Sequence, residues 1–366
     1  MVFASSGQAA AEALGKFMTR TNILVLTVLT VVVIAAAVMM RASREPVGEP
    51  LEGAYLPELL DRSNDVASVI IKSGATTTTI AREGDSWNIE ERSNYPASLD
   101  KVRELILGLA RLQRIEGKTS KPEFYGKLGL DDVGDPGSES TLIQLVDVSG
   151  GTLAVLIVGN EKMTQGGGSR RRMYVRSPED PRAWLVEGQL PATGGPSVWM
   201  DTSILGQDAP ALQSVSVSKG KETLTVTREN ADTEVYELSG RADREETDSQ
   251  YAVNQIARSF SDLIFEDVRV APNGSNEKSD NSIVAESFDG VRITLELNKE
   301  DVNYFGRFTA DYLPTGEADE ALHLKVSEWN ERWSGWEYLL PDYLVENMLV
   351  ARDELIKQDR GETTTQ

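Results

Sequence analysis

Eighteen consecutive residues, Ile23 to Met40 (ILVLTVLTVVVIAAAVMM), carry no charge, and Thr27 and Thr30 are their only polar side chains. At about 1.5 Å per helical residue the run covers about 27 Å, close to the roughly 30 Å hydrocarbon core of a bilayer. Each threonine can return its hydroxyl to a carbonyl one turn back. A cleaved signal peptide fits poorly, because its apolar core is usually about 7–15 residues and is followed by small residues. Here Met39-Met40-Arg41 follows instead. The run therefore predicts an uncleaved single-pass transmembrane helix. Lys16 and Arg20 precede it, and Arg41 and Arg44 follow it, so positive charge is nearly balanced. The short N-terminal tail is the easier part to keep inside, which predicts a cytoplasmic N-terminus and an extracytoplasmic body.

Beyond the run the chain is polar and acidic. Its formal charge is −21; Glu12, Lys16 and Arg20 give the first forty residues +1, leaving −22 for the remainder. That balance repels phosphates and anionic headgroups, which argues against nucleic acid as a partner and against attachment by a basic surface. The chain has no cysteine, which excludes disulfides, thiolate metal sites, cysteine nucleophiles and the acylated cysteine of a lipoprotein. The apolar run is left as the anchor.

Periodicity divides the chain into a cytoplasmic tail (1–22), the transmembrane helix (23–40), a linker rich in proline, glycine and glutamate (41–57), two α+β repeats (58–207 and 208–358) and a disordered tail (359–366). In the first repeat Val66, Val69 and Ile71, then TTTTIAR and SWNIEER, read as an antiparallel meander that stops at Tyr95-Pro96. Ser98 is placed to cap a helix with Val102, Leu105, Ile106, Leu109 and Leu112 on one face. A short helix is predicted from Pro122 to Leu128, stopped by Gly129, and strands at TLIQLVDV, TLAVLIVG, RMYVRS and AWLVEG. Ser197 to Leu205 reads as a closing helix.

The pattern then starts again. Leu212, Val215, Val217 and Gly220 stand 146 positions after Val66, Val69, Ile71 and Gly74. Leu224 and Val226 answer Thr78 and Ile80, and Val235 answers Ile89. Val253, Ile256, Ala257, Phe260 and Leu263 repeat the helical stripe at an offset of 151. Two strand pairs follow in the same order, then a last helix from Pro341 to Ile356. Matches in the same order throughout predict an internal duplication of one antiparallel-sheet-plus-helix unit.

Five stretches, Asp61-Arg-Ser-Asn-Asp-Val, Tyr95-Pro-Ala, Lys101-Val-Arg-Glu-Leu, Gly117-Lys-Thr and Tyr125-Gly-Lys-Leu-Gly-Leu, occur in an order that resembles the bacterial family "domain of unknown function 4340". The likeness covers most of residues 55–355 and is denser in the first half. The resemblance implies a single-pass, inner-membrane-anchored envelope protein of the kind often encoded beside ABC-type transport components similar to the gliding-motility auxiliary system. These are turn formers, helix caps and core positions, and the family carries no catalytic residues over.

Side chains that invite a chemical reading are few. His323 is the single histidine, and alternation in Ala-Leu-His-Leu-Lys-Val places it on the polar face of a strand. No Gly-x-Ser-x-Gly is present. Gly166-Gly-Gly-Ser-Arg170-Arg171-Arg172 lacks the Gly-Lys-Ser/Thr ending of a phosphate loop and reads as a hairpin tip; its three arginines are a candidate docking point for an acidic partner. Asp131-Asp132 and Glu245-Glu246 lack EF-hand spacing and read as solvated loops. Trp329, Trp333 and Trp336, with Tyr338 and Tyr343 close behind, form either core or an aromatic partner surface. No cofactor and no catalytic constellation is expected. The sequence points to a non-enzymatic accessory or scaffold protein at the inner membrane, with ABC-type transporter subunits as partners. The alternative is a glycan- or ligand-binding module using the cleft between the repeats or the C-terminal aromatic cluster.

Overall fold

The computed structural model describes Thr30 and residues 53–162, 171–206, 209–241, 246–272, 279, 281–314, 316 and 318–356. The tail 1–22, the apolar run 23–40 except Thr30, residues 41–52 and the tail 359–366 lie outside these. Among the described residues no helix is long and apolar enough to cross a membrane.

The described chain is α+β, built on two antiparallel sheets. The first contains β1 (Val66–Ser73), β2 (Thr76–Glu83), β3 (Ser86–Ile89), β4 (Tyr95–Pro96), β5 (Gln113–Gly117), β6 (Thr141–Asp147), β7 (Thr152–Lys162), β8 (Arg172–Arg176) and β9 (Trp184–Glu187). Their order is β4-β3-β2-β1-β6-β7-β8-β9-β5. The second contains β10 (Leu212–Lys219), β11 (Glu222–Thr227), β12 (Glu237–Leu238), β13 (Asp267–Val270), β14 (Asn281–Ser287), β15 (Val291–Glu300), β16 (Asn303–Tyr312) and β17 (Trp336–Leu340), in the order β12-β11-β10-β14-β15-β16-β17-β13.

In the first hairpin of each sheet the registers agree residue for residue. Ser68↔Ala81 through Ser73↔Thr76 in the first sheet matches Ser214↔Thr227 through Lys219↔Glu222 in the second. β1 meets β6, and β10 meets β14, with a bulge at the same place, between Val66 and Ser68 and between Leu212 and Ser214. A bulge inserts one residue and re-aims the alternation, so Val66, Val69 and Ile71 all face the core, as do Leu212, Val215 and Val217. Val235 is not the counterpart of Ile89: it is exposed, and Leu238 pairs with Val226 as Ile89 pairs with Ile80. The offset lengthens there because the connection after β11 is longer.

One helix packs on the core face of each sheet: α1 (Leu99–Ala110) through Val102, Leu105, Ile106 and Leu109, and α2 (Gln250–Ser261) through Val253, Ile256, Ala257 and Phe260. Three- and four-residue spacing gives each a single apolar stripe. Ser249 caps α2 by accepting from the Ala252 amide, whereas the Ser98 hydroxyl makes no cap bond to α1. Lys101 instead ties α1 down, donating to the carbonyls of Val198 (2.8 Å) and Met200 (2.7 Å).

Other expected elements are cut short for physical reasons. SWNIEER keeps strand pairing only through Ile89. The Glu91 carboxylate then accepts from the Thr79 amide at 2.8 and 2.9 Å, and Ser93 and Asn94 turn the chain through positive φ. Tyr95-Pro96 does not stop the strand pattern but resumes it, with Tyr95 opposite Ile89. The helix predicted at Pro122–Leu128 is two 3-10 turns, Pro122–Phe124 and Gly126–Leu128, ended by Gly129 at φ +67°. In Ser197–Leu205 only Pro196–Trp199 forms a 3-10 turn; Ser203 then bridges to Ile264, and Ile204 donates to the Leu263 carbonyl. The last helix is two pieces, α4 (Asp342–Met348) and α5 (Arg352–Leu355).

The largest correction is α3 (Glu320–Trp333), which places His323 on a helix and exposes it. Asp319 caps this helix by accepting from the amides of Ala321 and Leu322. Leu322, Val326, Trp329 and Trp333 form its inner stripe at spacings of four, three and four.

A short insertion covers the outer face of the first sheet. Tyr125, Leu130, Ile157 and Ala183 make a second small core there. The Arg176 guanidinium lies over the Tyr125 ring at 4.6 Å, and its Nε donates to the Leu130 carbonyl (2.8 Å) while Nη2 pairs with Asp132.

Candidate partner-binding site

Arg170 lies outside the described residues, as does Glu245. Arg171 faces Glu161 (3.3 Å) across the β7–β8 hairpin, and Arg172 pairs with Glu187 (3.2 Å). Among the described residues no three His, Asp or Glu side chains converge as they would on a metal ion.

Trp329 and Trp333 are buried, stacked with ring centroids 5.7 Å apart and an interplanar angle of 17°. Phe308 closes on Trp333 at 5.5 Å. Trp336 is half-buried at the join between the sheets, where the β4 end of the first meets the β13 end of the second. There Tyr95 meets Trp336, Phe265 and Tyr338 edge-on at 5.0, 6.0 and 6.3 Å. Edge-to-face pairs of this kind contribute about 0.5–1.5 kcal/mol each beyond burial. Burial is also what raises the Tyr338 hydroxyl far above the ordinary phenol range, and it raises Tyr95 as well. Arg92 clamps the join with two parallel bonds to Asp267, at 2.6 and 2.7 Å. Three of the aromatic side chains that invited a surface reading, Trp329, Trp333 and Tyr338, are thus spent on packing. Tyr343 alone of the group is exposed.

Sequence reasoning missed a different place. Gly53–Tyr55, part of the stretch read as linker, lies along β5: Ala54 bridges Gln113, Tyr55 donates to the Leu112 carbonyl (2.7 Å), and Arg114 donates to the Gly53 carbonyl (2.9 Å). The chain thus meets the β5 edge of the first sheet through a single bridge. Beside it is a notch in the sheet. β8 pairs with β7 at Ile157↔Arg176 and Val158↔Val175 but goes no further. Pro178 follows, with no N–H to offer a ladder, and Ser177–Asp180 form a turn in which Asp180 donates to the Ser177 carbonyl (3.3 Å). Thr152–Leu156 consequently pair with β6 on one side and with no strand on the other, among the described residues.

A cavity of about 390 Å³ occupies the notch, lined by Tyr55, Arg114, Leu153, Val155, Asp180 and Trp184. The Arg114 guanidinium is held between the rings of Tyr55 (5.5 Å) and Trp184 (5.3 Å). Its Nη2 donates to the Tyr55 carbonyl (3.2 Å), while its Nε is buried without an acceptor among the described residues. Burial, then the charge of Asp180, pushes the Tyr55 phenol up to about 12. The signal in the sequence was the short MYVRS run followed by Pro-Glu-Asp-Pro, against the longer strand at the matching point of the second half. A larger hollow of about 900 Å³, floored by Val217, Leu224, Leu349 and Val350, sits against α5. Lys219, Glu222, Arg352 and Asp353 also line it, and Arg352 donates to the carbonyls of Ser239 (3.2 Å) and Gly240 (2.9 Å).

No curated protein and no solved structure matches the chain. A family model does match, over residues 87–282, and this span includes β7, β8, β9, Arg114 and Trp184. It also contains the Tyr125-Gly-Lys-Leu-Gly-Leu stretch, whose roles are those of scaffold: Tyr125 under Arg176, Leu130 in the small core, Gly129 at positive φ. The match covers more than half of the 366 residues, and the chain belongs to the family described as domain of unknown function DUF4340.

Proposed function

We propose that this protein is a membrane-anchored extracytoplasmic scaffold, an accessory subunit of a transport complex of the ABC type rather than an enzyme. Ile23–Met40 crosses the inner membrane once, with the N-terminus in the cytoplasm and the body outside. The body is a duplicated unit, and its two copies are joined through Tyr95, Arg92 and Asp267 into one partner-facing block. The observation that carries the reading is the eighteen-residue apolar run followed, thirteen residues later, by chain bridged to β5. At about 3.3–3.6 Å per extended residue, thirteen residues reach at most about 45 Å. The body is therefore held close to whatever shares the membrane with it, and the notch beside Tyr55 lies at its tethered end. Matching registers and matching bulges in the two sheets support the duplication.

Affinity purification of the full-length protein from detergent-solubilised membranes tests this reading. Transporter subunits are expected in stoichiometric yield. Recovery of no membrane partner under conditions that keep the protein folded would overturn it.

A further inference from the structure

We propose that the notch beside β7 is a strand-addition site. An extended segment of a partner protein, about five residues long, lies antiparallel to β7 and directs an acidic side chain to Arg114. The proposal deepens the scaffold reading and rests on it for the existence of a partner, but the argument for the notch is independent of the membrane.

Three observations carry it. The first is the interruption itself. Alternate residues of a strand turn their N–H and C=O toward each neighbour, so along Thr152–Leu156 every second residue offers these groups to the gap. Backbone groups left without partners are costly and form a template for another strand. The gap is lined by Tyr55 and Leu56 of the entering chain and by Ser177, Glu179 and Asp180 of the turn.

The second observation is the filled form of the same place in the second sheet. Glu296↔Arg307 and Leu297↔Gly306 correspond to Ile157↔Arg176 and Val158↔Val175. β16 does not stop there. It continues as Phe308–Tyr312 along Leu295 to Val291, with Phe308 and Ala310 facing the core. At Ala310 the outer edge of that extension is satisfied by Asn330 of α3, which accepts from the Ala310 amide (2.8 Å) and donates to its carbonyl (2.7 Å). The second sheet thus completes with its own five residues what the first leaves open.

The third is charge. Asp180 already accepts from the Arg182 amide (2.9 Å), and the Arg114 Nε has no acceptor among the described residues. A carboxylate on the inward side of an added strand supplies a charge-assisted partner. Strand addition draws affinity from the backbone and specificity from such alternate side chains.

The test is hydrogen exchange on the full-length protein in detergent micelles, with synthetic peptides as probes. One peptide has the sequence of Asn303–Pro314; a second carries Ala310→Glu at the inward position; a third is the second with backbone N-methyl groups on the pairing edge. With peptide at about ten times its Kd, the gap-facing amides of Thr152–Leu156 should exchange about tenfold more slowly. The glutamate peptide should act at lower concentration, and the N-methylated one should not act. Arg114→Gln should abolish the preference for glutamate while the first peptide still protects, which also reports that the variant is folded. Absence of protection by either unmodified peptide at millimolar concentration would overturn the proposal. Protection that survives N-methylation would also overturn it, in favour of a side-chain pocket. Protection by anionic phospholipid vesicles without peptide would assign the notch to headgroups instead. If partners co-purify but no peptide protects, the strand-addition proposal alone falls. If peptides protect but no partner co-purifies, the scaffold reading alone falls.

Discussion

Trp333 decides whether the C-terminal aromatic group is core or surface, and its environment allows a magnitude to be worked out. The side chain is 2% exposed, stacked on Trp329 and tilted against Phe308. Truncating a buried tryptophan to alanine costs about 3–5 kcal/mol in lost burial and residual cavity. The indole Nε1 is buried without a hydrogen-bond partner among the described residues, a condition that itself costs about 1–3 kcal/mol. Relief of that cost brings the expected loss for Trp333→Ala down to about 3 kcal/mol. Trp333→Phe keeps a ring on Trp329, loses some volume and removes the unpaired N–H, so its expected loss is about 1 kcal/mol. At about 2 °C per kcal/mol for a body of this size, the alanine variant should melt about 6 °C lower and the phenylalanine variant about 2 °C lower. Circular dichroism melts of the full-length protein in detergent, wild type and both variants side by side, measure this. An alanine variant that melts with the wild type would refute the packing of α3 and return the tryptophans to the surface.

Further expectations concern the join, the chain entry, the turns and close packing. Arg92 and Asp267 are each about a third exposed, so a double-mutant cycle with alanine at both positions should give a coupling of about 0.5–1.5 kcal/mol, reduced at high salt; a coupling of zero would mean the two sheets are not clamped there. The Tyr55 phenol is raised above its unfolded value, so its contribution is complete below about pH 10 and is lost as pH rises toward about 12. Tyr55→Phe should flatten that alkaline limb of the melting temperature, and an unchanged limb would count against the burial of Tyr55. The hydroxyl of Ser149 and the amides of Gly151 and Ser149 hold the Asp147 carboxylate below the ordinary range. Its contribution is therefore present at neutral pH and lost as acid protonates it; an NMR titration should find it among the lowest aspartates, and a midpoint in the ordinary range would contradict the turn. Gly108 lies on α1 where a Cβ would sit 2.5 Å from the Gln189 carbonyl oxygen. Gly108→Ala should therefore destabilise by about 1–3 kcal/mol, the opposite of the gain expected at an open helical site, and a more stable variant would show that the segment after β9 is placed elsewhere.

The hairpins and the two stripe helices were legible because bulged registers leave a repeating mark: Val66, Val69 and Ile71 recur as Leu212, Val215 and Val217 with the same break in alternation. The 146-to-151 drift in offset was also visible, but assigning it needed the pairing, since Val235 and Leu238 are both apolar and only Leu238 faces Val226. α3 was missed because Ala-Leu-His-Leu-Lys-Val alternates like a strand over six residues. The longer stripe Leu322, Val326, Trp329, Trp333, capped by Asp319, was the better guide. The truncation of β3 was not readable at all, since it depends on Glu91 reaching the Thr79 backbone and on Arg92 reaching Asp267, 175 positions away. The notch is a contrast between halves, and it appears only when β8 is laid against β16.

Attachment and orientation are the foundation of the account, and one fractionation tests them together. Full-length protein should remain with the membrane through alkaline carbonate extraction, and external protease applied to spheroplasts should digest residues 45–366. A chain beginning at residue 45 should be found in the soluble fraction. Release of the full-length protein by carbonate, or persistence of the shortened chain in the membrane, would contradict the assignment of the anchor to Ile23–Met40.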